Sequence, residues 1–318
     1  MSAIRSGLKA EIEAICPGNV ISDVSMADLS SWKVGGRAAL LVKPSNLLQI
    51  RNVRKLLSKY DVPSLVIGNT TNLLFTDEDI QAVVIQLGNI FSEVTIVDDI
   101  VTAQAGVWVP KLARRAMLAG LKGLEHTCGI PGTLGGLLVM NGGSQRKCIG
   151  ERVSMVETVD VTGNVRHYTN DQCEFAYRHS VFQKKDEVIT KIVLKLDSAF
   201  EQGSLRSEML DILRSRRAKF PRKIPNCGSV FVSDPTMYVK YGPPGKIIES
   251  CGLKGTQRGG AQVSLQHANF IVNQCGGALA RDILYLIQDV RESVYEKTGY
   301  MMCVEPRFVN SSGDVQVI

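Results

Sequence analysis

Gly129-Ile130-Pro131-Gly132-Thr133-Leu134-Gly135-Gly136 is the most informative stretch of this chain, and it leads into Met140-Asn141. Glycine lets a ligand approach the backbone closely, and exposed N–H groups at such turns can hold a pyrophosphate. Two shorter strings have the same character, Val34-Gly35-Gly36-Arg37 and Gly68-Asn69-Thr70-Thr71-Asn72-Leu73-Leu74. Each string alone is explained as well by a structural turn. Because no predicted strand is followed by Rossmann or Walker A glycine spacing, a bound dinucleotide must be held in another way.

The composition is that of a globular protein with small-molecule ligands. The chain has 318 residues, enough for two or three lobes, with 44% hydrophobic and 21% charged residues. Its formal net charge is +6, and its densest basic cluster lies at 214–223. The sequence has no basic tail, zinc-finger spacing or RNA-binding aromatic string, and only 6% of its residues are aromatic. A mild positive charge therefore favours phosphorylated small molecules over nucleic acid.

The cysteines and the N-terminal sequence point to a reducing compartment. Eight cysteines are scattered without a Cys-x-x-Cys pair, and the four histidines do not lie at metal-ligand spacing beside them. This pattern is typical of reduced thiols and predicts neither disulfides nor a metal site. Residues 1–17 lack the apolar core of a signal peptide, and no apolar run approaches membrane-spanning length. We therefore expect a soluble, cytoplasmic protein without membrane insertion.

Hydrophobic periodicity predicts strands and helices in alternation over the first two thirds of the chain. A small βαβ layer is expected from strands at 40–42, 64–67 and 82–85, with a helix over 46–60. Two hairpins are expected around Asp98-Asp99 and Thr162-Gly163. A helix is predicted over 110–119, with Pro110 in its first turn, and a further strand over 188–196. This part of the chain therefore reads as α+β.

The last third follows a polar change of composition at 198–204. A basic helix is predicted at 205–218 and an amphipathic helix at 278–297. In the second helix apolar residues recur at spacings of three and four, and we interpret the stripe as core packing. Its members are Leu279, Ile283, Leu286, Ile287, Val290 and Val294. A domain boundary is therefore expected near residue 200.

Three short strings, far apart in the chain, resemble one family of flavoenzymes. They are Tyr177-Arg178-His179-Ser180, Asn226-Cys227-Gly228-Ser229-Val230-Phe231 and Val304-Glu305-Pro306. In this order they resemble the proton-donor and enolate-stabilising residues of the UDP-N-acetylenolpyruvoylglucosamine reductases, which complete the muramic acid sugar of peptidoglycan. The glycine strings at 68–74 and 129–136 resemble that family's FAD-binding loops. Residues 263–273 resemble a segment of its substrate-binding domain, so the resemblance covers nearly the whole chain.

The resemblance implies an α+β fold, with a two-lobed FAD-binding domain of the vanillyl-alcohol-oxidase (PCMH) type and a smaller α+β substrate-binding domain. The implied divisions are an N-terminal segment 1–30, FAD-binding lobes 31–92 and 93–200, a substrate-binding domain 201–304, and a C-terminal segment 305–318 with the catalytic glutamate. No long insertion separates Ser180 from Arg216. The chain therefore resembles the shorter subtype, which lacks an extra tyrosine-bearing loop.

The reaction that the resemblance implies is the reduction of an enolpyruvyl ether. NADPH reduces non-covalently bound FAD, which passes hydride to UDP-N-acetylglucosamine enolpyruvate and so gives UDP-N-acetylmuramate. Negative charge develops on the pyruvyl carboxylate, so cationic groups are needed there, and the neighbouring carbon needs a proton donor. By resemblance Ser229 donates that proton. Arg178 binds the carboxylate with its planar guanidinium, and Glu305 is paired with Arg178.

The resemblance also assigns binding residues. For FAD they are Gly35, Gly36, Gly68, Asn69, Thr70, Thr71, Asn72, Leu73, Gly129, Ile130, Gly132, Thr133, Gly135, Gly136 and Asn141. For the UDP-sugar they are Tyr177, Gln266, His267 and Asn269. The sequence does not determine which of the last three contacts substrate, and a buried core position explains His267 equally well. No protein partner is indicated.

Departures from the family pattern leave other functions open. Thr70-Thr71 stands where the family has Gly-Ser, and bulky residues, Arg146-Lys147 among them, follow Asn141 where small ones are usual. One alternative is a paralogous flavoenzyme that reduces another nucleotide sugar, and another is a flavin-less binding protein on the same scaffold. A third is an oxidase with covalent flavin, because His126 and Cys128 lie beside the glycine string.

Overall fold

The computed structural model of the chain describes residues 6–199 and 202–318. Within these ranges the α-helices are α1 (Ser6–Ile15), α2 (Met26–Leu29), α3 (Leu47–Lys59), α4 (Val109–Leu118), α5 (Leu134–Val139), α6 (Gln202–Lys219), α7 (Pro235–Tyr241), α8 (Pro244–Ser250) and α9 (Ala280–Thr298). Single 3-10 turns lie at Glu125–Thr127, Ile149–Arg152, Asp171–Cys173 and Val181–Gln183.

The strands in the described residues are β1 (Val20–Ser25), β2 (Arg37–Val42), β3 (Ser64–Ile67), β4 (Leu73–Phe75), β5 (Val83–Gln86), β6 (Val94–Val97), β7 (Ile100–Gln104), β8 (Leu121–Lys122), β9 (Gly143–Ser144), β10 (Lys147–Cys148), β11 (Val153–Val159), β12 (Val165–Thr169), β13 (Val188–Lys195), β14 (Asp197–Ser198), β15 (Gln257–Arg258), β16 (Ala261–Val263), β17 (Ile271–Asn273), β18 (Arg307–Val309) and β19 (Val315–Val317).

The chain forms two compact units, each built from separate segments. The first consists of the described residues of 1–22, 40–69 and 82–216. Its largest sheet has five antiparallel strands in the order β12-β11-β13-β7-β6. Strand β5 pairs in parallel with β2 and with β3, as a βαβ layer requires. Buried side chains from both sheets, such as Val83 and Ile192, belong to one apolar core.

Caps and turns account for the limits of the elements in the first unit. The side chain of Asn46 caps α3, and Pro110 occupies the first turn of α4, where a missing N–H costs nothing. Asp98, with φ +49°, turns β6 into β7. In the β11–β12 hairpin the Asp160 carboxylate accepts two backbone N–H groups, each at 2.9 Å. Both predicted hairpins are therefore confirmed, with their turns at the expected residues.

The second unit consists of residues 23–39, 70–81 and 217–318. It contains two three-stranded sheets, β15-β16-β17 and β19-β18-β4. The Asp77 carboxylate caps α9 by accepting the N–H groups of Ala280 at 2.7 Å and Arg281 at 3.2 Å. Gly299, with φ +69°, ends the helix in the left-handed conformation. One face of α9 is buried in the core of this unit through Ile283, Leu286, Ile287, Val290 and Val294.

The structure differs from the expectations at one residue of the predicted core stripe. Leu279, expected in the core stripe of α9, is 39% exposed because it precedes the first turn of the helix. The chain passes from one unit to the other five times, the last at residues 216–217. Residues 70–81 belong to the second unit because β4 pairs with β18 there. The boundary expected near residue 200 falls at residues 200–201, which lie outside the described ranges. The domain limits therefore stay predictions.

Two kinds of feature are absent from the described residues. None of the helices is long and apolar enough to span a bilayer. In the same ranges no group of three or more His, Cys, Asp or Glu side chains is arranged to hold a metal ion.

Candidate active site

Ser229 begins an extended segment of the second unit. Gly228, directly before it, has φ +83°, a left-handed conformation that favours glycine. Val230 and Phe231, directly after it, are buried. Ser229 itself is partly exposed, and its hydroxyl makes no hydrogen bond within the part of the chain that the structure describes. The hydroxyl is therefore available to a reacting group.

Glu305 lies on the segment that runs antiparallel beside Ser229. Its N–H donates to the carbonyl of Val230 at 2.8 Å. The adjacent residues Phe231 and Val304 form an antiparallel β-bridge. The side-chain amide of Asn72 donates to the carbonyl of Glu305 at 3.3 Å. Three residues predicted from distant parts of the sequence, Ser229, Glu305 and Asn72, therefore come together within one unit.

Thr70, in the same unit, adopts a left-handed conformation with φ +56°. Its side chain is buried, and its hydroxyl donates to the carbonyl of Leu29 at 2.8 Å and accepts the N–H of Ser31 at 3.1 Å. Glycine suits this conformation better, which explains the glycine that the family pattern has at this position. Because the threonine side chain is buried in the protein, it does not crowd a ligand outside the loop.

Arg178 lies in a tight turn of the first unit. Ala176 and His179 exchange two backbone hydrogen bonds, at 3.1 and 3.0 Å, and Arg178 between them has φ +55°. Its guanidinium lies over the half-exposed ring of Tyr177, 5.2 Å from the centroid. A non-glycine residue in this conformation costs about 1–3 kcal/mol, and such strain concentrates at functional sites. The turn therefore holds the backbone of Arg178 in one defined conformation.

The Arg178 turn is anchored to the end of α5, which begins within the Gly129–Gly136 string. The buried hydroxyl of Ser180 donates to the carbonyl of Val139 at 2.7 Å. The side chain of Gln183 donates both to that carbonyl, at 3.0 Å, and to the carbonyl of Arg178, at 2.9 Å. The amide of Asn141 donates to the carbonyl of Ala176 at 2.8 Å. Asn141, assigned to FAD by resemblance, thus uses its side-chain N–H to hold the turn.

The Gly129–Gly136 string packs tightly within the first unit. A Cβ added to Gly68 would lie 2.1 Å from the hydroxyl oxygen of Thr133, so only glycine fits there. The N–H groups of Leu134 and Gly135 donate to backbone carbonyls at 2.8 Å, and that of Gly136 donates to the Thr133 hydroxyl at 3.4 Å. The glycines at 68 and 135 are therefore explained by close packing of the backbone.

Other groups of the same string are free for a ligand. The N–H groups of Gly129, Gly132 and Thr133 donate to no other group in the described residues. The side chain of Arg216 packs against Gly129, since a Cβ there would lie 2.4 Å from Arg216 Cδ. Free amides, a hydroxyl and a guanidinium are the groups that bind pyrophosphate in proteins. The residues present therefore fit FAD, and we expect Gly129, Gly132, Thr133 and Arg216 to be the groups that would hold its phosphates.

Gly35 and Gly36 have a packing role in the second unit. A Cβ on Gly36 would lie 2.1 Å from the carbonyl oxygen of Glu78, and the N–H of Gly36 donates to the carbonyl of Thr76 at 2.8 Å. That N–H is therefore not available to a phosphate. Contact of these glycines with FAD stays a prediction, as it does for Asn69, Thr71, Leu73 and Ile130.

The three candidate substrate residues of 266–269 differ in environment. Gln266 is exposed, and its amide donates to the carbonyl of Ala218 at 3.1 Å. His267 packs edge-on against Phe220 and Phe270, and burial lowers its pKa. Asn269 is 5% exposed, and its amide is bonded to backbone. An aromatic cluster thus accounts for His267, and Gln266 is the most exposed of the three.

Cys227 and Arg216 are not assigned a role from the sequence. The buried Cys227 thiol donates to the carbonyls of Thr70 and Leu73, each at 3.5 Å, and burial raises the pKa of that thiol. Cys227 therefore stays protonated and ties the Ser229 segment to the Thr70 loop. In the sequence, Cys227 could have been found from its position two residues before Ser229. Arg216 could have been found from its place in the basic cluster at 214–223.

Comparisons with known proteins agree with these observations. Residues 38–169 match the profile of an FAD binding domain, and residues 220–309 match that of the C-terminal domain of UDP-N-acetylenolpyruvoylglucosamine reductase. UDP-N-acetylenolpyruvoylglucosamine reductase 1 of Corynebacterium glutamicum is 44% identical over 92% of this chain and 87% of that protein. The Heliobacterium modesticaldum enzyme named UDP-N-acetylenolpyruvoylglucosamine reductase is 38% identical over 93% of this chain and 92% of its own length.

A solved structure extends the likeness to three dimensions. The crystal structure of UDP-N-acetylenolpyruvylglucosamine reductase from Thermus caldophilus matches with a TM-score of 0.76 and 29% identity, over 90% of this chain and 98% of that chain. The fold and the profile matches define an α+β, FAD-dependent oxidoreductase, as the sequence predicts. Within that class, the chain belongs to the UDP-N-acetylenolpyruvoylglucosamine reductase family.

Proposed function

We propose that this chain reduces UDP-N-acetylglucosamine enolpyruvate to UDP-N-acetylmuramate, a step of peptidoglycan precursor synthesis. The observation that carries the proposal is the placement of Ser229 beside Glu305, with the Asn72 loop bonded to the same segment. FAD, when bound, supplies the redox chemistry by accepting hydride from NADPH and delivering it to the terminal enolpyruvyl carbon. The chain's own residues bind the cofactor, stabilise the developing charge and deliver the proton.

Ser229 is the proton donor in this proposal. Hydride addition leaves an enolate-like species, which takes one proton at the carbon next to the carboxylate. The Ser229 hydroxyl is partly exposed and is not engaged by the described residues, so it can approach that carbon. Because a serine is a weak acid, its donation requires nearby positive charge. Arg307, in the same unit, is half-buried; burial lowers its pKa, and the Glu305 carboxylate acts in the opposite direction.

Arg178 binds the substrate carboxylate in this proposal. A guanidinium can hold a carboxylate through two parallel N–H donors, and this geometry also fits the charge that grows on the carboxylate during hydride addition. The strained and anchored turn at 176–179 fixes the backbone from which Arg178 projects. Such preorganisation adds more to transition-state stabilisation than a flexible arginine would, because no reorganisation is needed as charge develops.

The substrate is a UDP-sugar, and we place the reaction in the cytoplasm. All eight cysteines of the chain are free thiols, and four of them are buried. Free thiols in this number are typical of proteins that work in a reducing compartment.

One anaerobic experiment tests the function. The visible spectrum of the purified protein is recorded, then NADPH is added, and then UDP-N-acetylglucosamine enolpyruvate. We expect flavin bands that bleach with NADPH and return with the sugar nucleotide. Bands that bleach but do not return would point to a different acceptor and contradict the proposal. Protein that carries no flavin and takes up none would support a binding protein on the same scaffold.

A further inference from the structure

Asn269 is bonded to the backbone that carries Ser229. Its side-chain oxygen accepts the N–H of Phe231 at 2.8 Å, and its side-chain N–H donates to the carbonyl of Phe231 at 2.9 Å. Its own carbonyl accepts the N–H of Val230 at 2.9 Å. The residue is 5% exposed, and all of these contacts lie within the second unit. The amide is therefore engaged at both ends and buried, which does not suit a residue that binds substrate directly.

The position of Ser229 depends on the hydrogen bonds that hold the chain on both sides of it. Before Ser229, Gly228 has φ +83°, and its N–H donates to the side-chain oxygen of Asn226 at 2.9 Å. After Ser229, the two residues that follow are fixed by Asn269 on one side and by the N–H of Glu305, 2.8 Å from the Val230 carbonyl, on the other. The orientation of Ser229 is therefore set by the turn before it together with the bonds that hold Val230 and Phe231 after it.

We propose that Asn269 is a positioning residue, which orients the Ser229 hydroxyl for proton donation by clamping the backbone of Phe231. The inference rests on the proposed role of Ser229. An amide suits this task because one side-chain group presents a donor and an acceptor to the N–H and C=O of the same residue. An apolar residue there would leave both backbone groups of Phe231 without these partners in a buried site.

The first test is Asn269→Ala in the FAD-loaded protein, with the two half-reactions measured separately by anaerobic stopped flow. Reduction of the flavin by NADPH should be unchanged. Reoxidation by UDP-N-acetylglucosamine enolpyruvate should slow by about 10- to 100-fold, because a misplacement of about 1 Å costs that much. The substrate concentration for half-maximal rate should change by less than about twofold, since uniform binding is not affected. If Asn269 binds substrate directly, the alanine variant should instead need a higher substrate concentration for half-maximal rate and keep the wild-type limiting rate. That result would overturn the proposal.

Asn273→Ala is the matched control. Asn273 is also fully buried in the second unit, and its amide likewise bonds two backbone groups, the carbonyl of Trp32 at 3.0 Å and the N–H of Ala278 at 3.1 Å. Its loss should lower stability as much as the loss of Asn269 does, but leave reoxidation of the folded protein near the wild-type rate. Equal slowing by both variants would mean that Asn269 acts only through general stability.

Asn269→Asp tests the clamp without removing the side chain. A protonated carboxyl group copies the amide, because one oxygen accepts and the hydroxyl donates, whereas a carboxylate cannot donate to the carbonyl of Phe231. The ratio of the variant's reoxidation rate to the wild-type rate at the same pH should therefore rise toward one as pH falls. A pH profile parallel to that of wild type would refute the clamp. Wild-type protein whose reduced flavin is not reoxidised by the substrate at all would refute the proposed function instead.

Discussion

Thr70 shows how hydrogen bonds can offset backbone strain at a single residue. A non-glycine residue with φ +56° costs about 1–2 kcal/mol. The hydroxyl of Thr70 makes two hydrogen bonds, to Leu29 and Ser31, each worth about 1 kcal/mol net. Burial of its methyl group adds about 0.8 kcal/mol. The contacts therefore outweigh the strain, and threonine is stable at a position that glycine usually occupies.

Thr70→Gly should consequently destabilise the protein, although it relieves the strain. We expect a loss of roughly 2 kcal/mol, because glycine also adds entropy to the unfolded chain. The measurement is a urea titration followed by the fluorescence of Trp32, which is fully buried in the same unit. Thr70→Ser is the control, because it keeps the hydroxyl and should retain most of the stability. A glycine variant as stable as wild type would show that the two bonds contribute nothing.

Ser229→Ala tests the proposed proton donor. Reduction of the flavin by NADPH should proceed at the wild-type rate, because Ser229 plays no part in that half-reaction. Reoxidation by the enolpyruvyl substrate should slow by about 100- to 10,000-fold, the usual contribution of a general acid. Rapid-mixing kinetics of each half-reaction provide the measurement. If both half-reactions slow equally, Ser229 has a structural role and the assignment is wrong.

At this scale, sequence could predict residue types but not the direction of their side chains. Ser229, Glu305 and Asn72 are predicted from three separate strings, and the structure brings them together. The side chains of Asn141 and Asn269 are assigned to ligands by resemblance, yet both bond to backbone. An asparagine in a loop can serve either purpose, and the choice depends on which carbonyls the fold places beside it.

At the scale of single elements, the helices and hairpins with strong local sequence signals are predicted best. The β6–β7 and β11–β12 hairpins follow from alternating apolar residues around short turns, and α3 and α4 follow from caps and periodicity. Strand β4 is different, because its three residues follow a loop and pair in parallel with β18, far along the chain. Nothing in so short a segment indicates a partner, so this pairing was not predictable.

The 3-10 turn Glu125–Thr127 carries a buried histidine that should make stability depend on pH. His126 is 1% exposed, and neither ring nitrogen has a hydrogen-bond partner among the described residues. Burial lowers the pKa of His126. The unfolded state therefore binds a proton more readily, so stability is present above the ordinary histidine pKa, near 6.5, and is lost as pH falls below it. His267 contributes in the same direction, because burial lowers its pKa too.

His126→Phe should remove part of this acid sensitivity. Between pH 6.5 and 5.5 wild type should lose stability through His126, and the variant should lose correspondingly less. Urea titrations at the two pH values measure the difference. Thr127→Val is the control, because the neighbouring buried threonine does not titrate and its replacement should cost the same at both values. An unchanged pH slope in the phenylalanine variant would show that His126 does not titrate in this range.

At the scale of the whole molecule, the sequence predicts the class of fold but not how the chain is shared between units. Residues 23–39 and 70–81 leave the first unit and supply strand and loop segments to the second, where Trp32 donates to the carbonyl of Ile271 at 2.8 Å. A hydrophobic pattern indicates which residues are buried, but it does not indicate which segment they pack against. Which segments belong to which unit is therefore determined by long-range packing, and hydrophobic periodicity gives no information about such packing.

Cofactor binding should stabilise the molecule through the pyrophosphate rather than through the flavin ring alone. FAD at about 100 times its dissociation constant should add about 3 kcal/mol, or roughly 5–10 °C in melting temperature. Riboflavin, which lacks the pyrophosphate, should shift the melting of the apoprotein far less. Riboflavin also lacks the adenosine, so the free N–H groups of Gly129, Gly132 and Thr133 account for part of this difference.

Gly129→Ala should reduce the FAD shift, because its Cβ would lie 2.4 Å from Arg216 Cδ and displace that side chain. Gly88→Ala is the matched control in the same unit, since a Cβ there meets no atom within 4 Å, and it should keep the full shift. Differential scanning fluorimetry of the apoprotein with each ligand gives both comparisons. Equal shifts by riboflavin and FAD, or an unchanged FAD shift in the Gly129 variant, would show that the pyrophosphate does not bind to this string. An unchanged FAD shift in the Gly129 variant would also rule out phosphate binding by Arg216, because the added Cβ displaces the Arg216 side chain.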